Sequence, residues 1–360
     1  MVTSVAPMLR GRRIVVCAGP GGVGKTTTAA ALAMGMAEQG LKVAVVTIDP
    51  AKRLADSLGL EELGNEPKLV DPARFSEHGV EITGELWALM LDSKRTFDAL
   101  IERLAPDTAT AEEVLSNRIY QQLSSAVAGS QEFTAIAKLY ELDQDGDYDL
   151  LVLDTPPSRN ALDFLDAPGR LTRFFQGRAI KMFLRPGTII GRGTGVVFGL
   201  MERLTGVDLL HDLSVFFRAL GGMIDGFAER ASRVGLLLSD PGTTFLLVTA
   251  PRHDPIEEAI FFHGKLREAD MPFGALVVNR LHEAPAGNGK LPPELDEELA
   301  RRVASAAGEL DALAEREAAN LEELRTRLGD PPTIVVPELD GDVHDVESLA
   351  LVRAHLFADE

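Results

Sequence analysis

Short apolar runs, several of them rich in β-branched residues, recur at residues 13–18, 42–48, 86–91, 148–153, 244–249, 274–278 and 333–336. They are too short for helices and are apolar almost throughout instead of alternating, the pattern of strands covered on both faces of a parallel sheet. Helical spacing fills several of the gaps, as at 28–38, which Gly40 stops, and at 256–268. Strand and helix in turn give the rhythm of a doubly wound α/β fold. Two longer stretches, about 93–142 and 162–238, break that rhythm. Their apolar residues, among them Phe97, Leu100, Ile101, Leu104, Phe174, Phe175, Phe216, Phe217 and Met223, follow helical spacing with no convincing strand. They predict a helical subdomain, about 93–146 and 162–238, inserted between core strands; the core then takes about 11–92, 147–161 and 239–360. Packing within the subdomain and an exposed apolar groove for a partner both account for those residues. Residues 285–293, with Pro, Ala, Gly and Asn, read as a surface loop, and 294–328 as one or two amphipathic helices with a charged, solvated face.

The turn after the first apolar run carries the sharpest chemical signal. Residues 19–27 read Gly-Pro-Gly-Gly-Val-Gly-Lys-Thr-Thr, which fills every fixed position of the phosphate-binding pattern G-x-x-x-x-G-K-[ST] between a strand and a helix. A phosphate chain needs many backbone N–H donors converging on it, and glycine lets the backbone come that close. The helix that follows turns its positive end toward the anion. Gly19, Gly21, Gly22, Val23, Gly24, Lys25, Thr26 and Thr27 are therefore candidate nucleotide-binding residues. Lys25 would reach the β and γ oxygens, and the Thr26 hydroxyl would ligate Mg²⁺ directly. The fold class is then α/β, a doubly wound, mostly parallel P-loop NTPase with an inserted helical subdomain.

Composition narrows the partners. The formal net charge of −19 over 360 residues disfavours nucleic acid and anionic lipid, leaving at most a peripheral membrane contact. The single cysteine, Cys17, excludes an internal disulfide and any Cys-x-x-Cys metal site, and its place in an apolar run reads as a small buried residue. The first residues lack the apolar core of a secretory signal, so the expected compartment is the cytoplasm.

Two aspartates close apolar runs, Asp49 in Asp-Pro-Ala-Lys-Arg and Asp154 in Asp-Thr-Pro-Pro-Ser-Arg-Asn. Carboxyl ends of strands are where open α/β sheets bind ligands. Phosphoryl transfer needs an aligned water and a metal on the β and γ oxygens, so one carboxylate serves each. Asp49 is assigned to the water and Asp154 to the outer shell of Mg²⁺, where Asp49 also contributes through water. Capping of a turn or helix is the alternative for either, being common for Asp near Pro.

Taken together, residues 19–27, Asp49-Pro-Ala and Asp154-Thr-Pro-Pro resemble the P-loop, switch I and switch II of the ArsA-like anion-transporting ATPases, which include the ATPase that targets tail-anchored membrane proteins. The likeness spans nearly the whole chain, taking in the run 86–91, both helical insertions and Val277-Val-Asn279. It implies ATP and Mg²⁺ as cofactors, Asp49 orienting the attacking water, Asn279 reading adenine, and Pro337, after the last strand, flanking that base. It implies a dimer, nucleotide-dependent switching and a client on the helical subdomain, such as a membrane-protein segment. Three departures qualify the transfer. Pro20 stands where the family has a lysine that crosses the dimer, which favours pairing with an unlike subunit or substitution by Lys52, Arg53 or Arg159. Cys17 alone supplies neither a zinc clamp nor an arsenite site. The chain carries one ATPase half. A positioning ATPase of the ParA and MinD kind, or a metabolic kinase or ligase on the same core, remains the alternative.

Overall fold

The computed structural model describes residues 2–49, 52–118, 120–121, 131–156, 216, 223–285 and 296–358. These fall in two units, one drawn from Met1–Met90, Gly146–Leu162 and Ser239–Glu360, the other from Leu91–Asp145 and Asp163–Leu238.

In the first unit the apolar runs form strands. β1 (Ile14–Ala18), β2 (Lys42–Thr47), β3 (Lys68–Leu69), β4 (Glu85–Met90), β5 (Leu150–Asp154), β6 (Thr243–Thr249), β7 (Phe273–Leu281) and β8 (Thr333–Pro337) make one sheet in the order β3-β4-β2-β5-β1-β6-β7-β8. Every neighbouring pair is parallel except β3 with β4, which is antiparallel. All five residues of β1 and of β5 are buried, as expected of central strands with both faces covered. The chain leaves β1 toward β2 on one side and later returns to β6 on the other. That reversal opens a crevice at the carboxyl end of β1, where such sheets bind ligands.

Edge strand β3 was not predicted: two residues long and exposed at both, it shows no apolar run. β7 runs three residues further than the apolar pattern, through Asn279, because its polar carboxyl end still pairs with β8 across a register shift between Asn279 and Leu281. Of the stretch predicted as one or two helices, the described part forms a single helix, Glu297–Leu328, capped by the Asp296 side chain and ended by Gly329 at φ 81°. Its second half is docked by buried Leu321, Leu324 and Leu328, and by Glu317, which accepts the His282 backbone N–H at 2.9 Å.

The P-loop helix begins at Lys25, three residues before the apolar pattern does, and packs against a last helix, Val346–Leu356, that the sequence reading did not mark. A Cβ built on Gly35 would lie 2.3 Å from the Phe357 ring, so this packing needs glycine there. Alanine at position 35 would force the two helices apart, as overpacking does.

In the second unit, the stretch predicted as helical contains helices Ser93–Leu104, Thr108–Ser116 and Gln131–Asp145. Phe97, Leu100, Ile101, Phe216 and Met223 are buried, with the Phe97 ring stacked 6.3 Å from that of Tyr120. Phe174, Phe175 and Phe217 lie outside the described residues, as do residues 286–293 of the predicted loop. Among the described residues no helix is long and apolar enough to cross a membrane.

Candidate nucleotide-binding site

The glycine-rich turn leaves β1 and enters the helix Lys25–Glu38. Gly19 passes so close to β6 that a Cβ on it would sit 1.9 Å from the Val248 carbonyl oxygen. Gly24, the residue before the helix, adopts the left-handed conformation at φ 91° and offers no side-chain cap. The N–H groups of the first helical turn therefore keep their capacity for an anion. Lys25 is 6% exposed and curls back so that Nζ donates to the Pro20 carbonyl at 2.8 Å. Burial holds its pKa below the ordinary lysine value, against the opposing pull of Asp154 and Asp49.

Asp154 lies at the centre. Register places it beside Cys17 of β1 and Thr47 of β2, so three strand ends converge on one carboxylate. Its Oδ2 accepts the Thr26 hydroxyl at 2.6 Å and the Thr47 hydroxyl at 2.8 Å. Its Oδ1 is buried with no hydrogen-bond partner among the described residues. Burial raises the pKa from 3.8 to about 6, although both hydroxyls and Lys25 work the other way. A buried carboxylate with one orphaned oxygen, bonded to the hydroxyl expected to ligate a metal, is a donor set that fits Mg²⁺. Thr155 secures the strand end by donating its hydroxyl to the Cys17 carbonyl at 2.8 Å. Burial pushes the Cys17 thiol far above its ordinary range, so it is an unreactive packing residue.

Asp49 follows β2 by two residues, and its backbone N–H donates to the Thr47 hydroxyl at 3.2 Å. The Asp49 carboxylate is partly exposed and lies 3.4 Å from an Arg53 guanidinium nitrogen. With Thr47, Lys52, Leu54, Leu63 and Met90 it lines a small cavity. It is not a helix cap: that position before Arg53–Ser57 belongs to Lys52, at φ 53°. Pro50, Ala51 and Arg159 lie outside the described residues.

Asn279 and Pro337 come together at the carboxyl ends of adjacent strands, Asn279 paired with Val336 and Leu281 with Pro337. Pro337 is the last residue of β8, not a residue beyond it. Asn279 is buried, and its amide nitrogen donates to the Val23 carbonyl of the P-loop at 2.9 Å. Thr47 was missed by the sequence reading. The available signal was a hydroxyl at the end of an otherwise apolar strand, two residues before Asp49.

A parallel sheet that reverses at β1, with a glycine loop wrapped over that strand end and leading into a helix, is the fold of a P-loop NTPase. Residues 12–290 match the family described as Anion-transporting ATPase, and the chain belongs to that family. It is similar to the ATPase GET3C of Arabidopsis thaliana, 28% identical over 281 residues, which are 75% of this chain and 67% of that protein. It is also similar to the ATPase GET3 of Malassezia globosa, at 25% over 278 residues, 76% of this chain and 74% of that one. A third relative, the ATPase ARSA1 of Chlamydomonas reinhardtii, is 26% identical over 315 residues, 80% of this chain, and the match spans only 38% of its length.

Proposed function

We propose that the chain hydrolyses ATP to ADP and phosphate in a Mg²⁺-dependent way, and that the nucleotide state switches its affinity for a partner. The observation that carries this reading is the convergence of Thr26 and Thr47 on buried Asp154, whose second oxygen is unpaired beside the P-loop. Membership of a family described as ATPases supports the reaction. In it, Lys25 turns from the Pro20 carbonyl to the β and γ oxygens of the triphosphate, where its charge offsets the charge that builds as the bond breaks. Thr26 would hold Mg²⁺ directly and Asp154 and Asp49 would hold it through water; the metal would supply charge to neutralise the phosphate oxygens. Asp49 orients the attacking water, while Asn279 and Pro337 flank the base.

The switch reading follows from Asp49 and Asp154, which tie the phosphate end to the segments after β2 and β5. The β5 segment leads on into the second unit, whose helices we assign to a client such as a hydrophobic membrane-protein segment. The working form is a dimer. Pro20, at the position where the family's lysine crosses between subunits, favours an unlike ArsA-like partner that supplies it.

The test measures ATP affinity and turnover, with and without Mg²⁺, in the chain and in Asp49→Asn and Lys25→Ala. Asp49→Asn is expected to bind ATP as the unaltered chain does and to turn over at least roughly 100-fold more slowly. Lys25→Ala weakens both. Unchanged turnover in Asp49→Asn would sink the assignment, and full activity of the pure single chain would sink the unlike partner.

A further inference from the structure

Asn279 and Val23 stand 256 positions apart in sequence, yet the Asn279 Nδ2 donates to the Val23 carbonyl at 2.9 Å, with the side chain only 8% exposed. The amide is held from its other end as well, because Oδ1 accepts the Arg280 backbone N–H at 3.0 Å. Arg280 itself adopts φ 63°, an uncommon conformation for a residue with a side chain, at the register shift of β7. The amide orientation is thereby fixed: reversed, it would set donor against donor and acceptor against acceptor.

The P-loop is shaped to receive this side chain. A Cβ on Gly24 would lie 2.2 Å from the Asn279 Nδ2, so position 24 must be glycine for this contact as well as for its own φ of 91°. In a trans peptide the C=O and the N–H point in opposite directions. Fixing the Val23 carbonyl toward Asn279 therefore fixes the direction of the Gly24 N–H, one of the groups on which phosphate binding depends.

From this we infer that Asn279 is a positioning residue for the phosphate loop: it orients the Val23–Gly24 peptide, whatever else it does to a base. The inference rests on the reading that residues 19–27 bind the phosphates of a nucleotide, and the experiment separates the two.

Magnesium tripolyphosphate carries the phosphate chain and no base. Its affinity and that of Mg·ATP are measured by calorimetry for the unaltered chain, Asn279→Asp, Asn279→Ala and Lys25→Ala. Asn279→Asp keeps the shape and the acceptor for Arg280 and loses the donor to Val23. The expected result is a loss of roughly tenfold for tripolyphosphate, the worth of one buried hydrogen bond, with at least as large a loss for ATP. Asn279→Ala loses a similar factor. Once protonated, the introduced carboxyl can donate again, so the deficit of Asn279→Asp against the unaltered chain at the same pH closes as the pH is lowered. A purely structural defect would not recover in this way. Hydrogen exchange in the ligand-free chain supplies a second readout: amides of residues 19–27 exchange faster in both variants while those of β1 do not. Loss of ATP affinity with tripolyphosphate affinity intact would overturn the inference, leaving Asn279 a base reader only. Equal acceleration of exchange in β1 would also overturn it, because the bond would then support the fold and not the loop. If the unaltered chain binds neither ligand, the phosphate reading itself fails and takes this inference with it.

Discussion

The two corners of the nucleotide site are built on opposite principles. Where β1, β2 and β5 end, charge is held in a dry place with hydrogen-bonding capacity left over: Asp154 keeps an orphaned oxygen, and Lys25 is buried against a loop carbonyl. Where β7 ends, both ends of the Asn279 amide are bonded to protein. Buried polar groups are ordinarily paired, and leaving one unpaired is costly. The first corner therefore carries a cost that a ligand would relieve, whereas the second is complete in itself. On the proposed function, the unmet capacity is where chemistry would be done and the closed network what would hold it in place.

The contrast is broken most severely at Lys25. Lys25→Ala removes the cation buried beside Asp154 among the described residues and is expected to lower turnover by roughly 10²- to 10³-fold, the scale for losing a preorganised charge-stabilising donor. Steady-state hydrolysis at saturating ATP reads it, and a loss under threefold would mean that the phosphate corner does not act through Lys25.

Asp154→Asn tests the unmet capacity directly, through stability. An unfolded aspartate ionises near 3.8, but Asp154 in the fold ionises only near 6. Between those values the folded chain holds a proton that the unfolded chain has released, so stability falls as the pH rises through that window, and the full penalty stands above it. The shift corresponds to an order of ~3 kcal/mol. Asparagine carries no charge and can still accept from Thr26 and Thr47. The variant is expected to melt a few degrees higher than the unaltered chain at pH 8, to show little gain at pH 4, and to lose Mg²⁺-dependent turnover. Equal or lower melting at pH 8 would show that the ionised carboxylate carries no penalty.

Much of this contrast was legible before any coordinates. Seven of the eight strands announce themselves as apolar runs, because a strand covered on both faces needs apolar residues on both. The P-loop is legible because close approach of backbone to phosphate leaves few residue choices. Asp154 was legible as an acid at a strand end, but its orphaned oxygen was not, since that depends on which strands lie beside β5. Thr47 was missed for the same reason: its partner is 107 residues away, and only the β2–β5 register brings them together. The Asn279 contact with Val23 was equally invisible, being a meeting of a strand end with the P-loop that leaves no local trace. The final helix, Val346–Leu356, was legible and overlooked: Asp345 caps it, and its buried Val346, Leu349, Val352 and Leu356 fall at helical spacing.

The smallest effect offers the finest discrimination. Thr47→Val keeps the shape and removes a hydroxyl that donates to Asp154 at 2.8 Å and accepts from the Asp49 N–H at 3.2 Å. Because the lost donor served an ionised group, the expected cost is about 1.5 kcal/mol at pH 8. At pH 5 it is smaller, since protonated Asp154 depends less on that donor. Thr249, buried at the end of β6, is the matched control: its hydroxyl donates to the neutral Pro255 carbonyl at 3.1 Å. Thr249→Val should cost about 1 kcal/mol with no change between the two pH values. Urea melts of both variants at pH 5 and pH 8 make the comparison. A pH-independent loss for Thr47→Val would mean that its bond to Asp154 does not discriminate between charge states, and the buried charge would then have to be held by Thr26 and Lys25 alone.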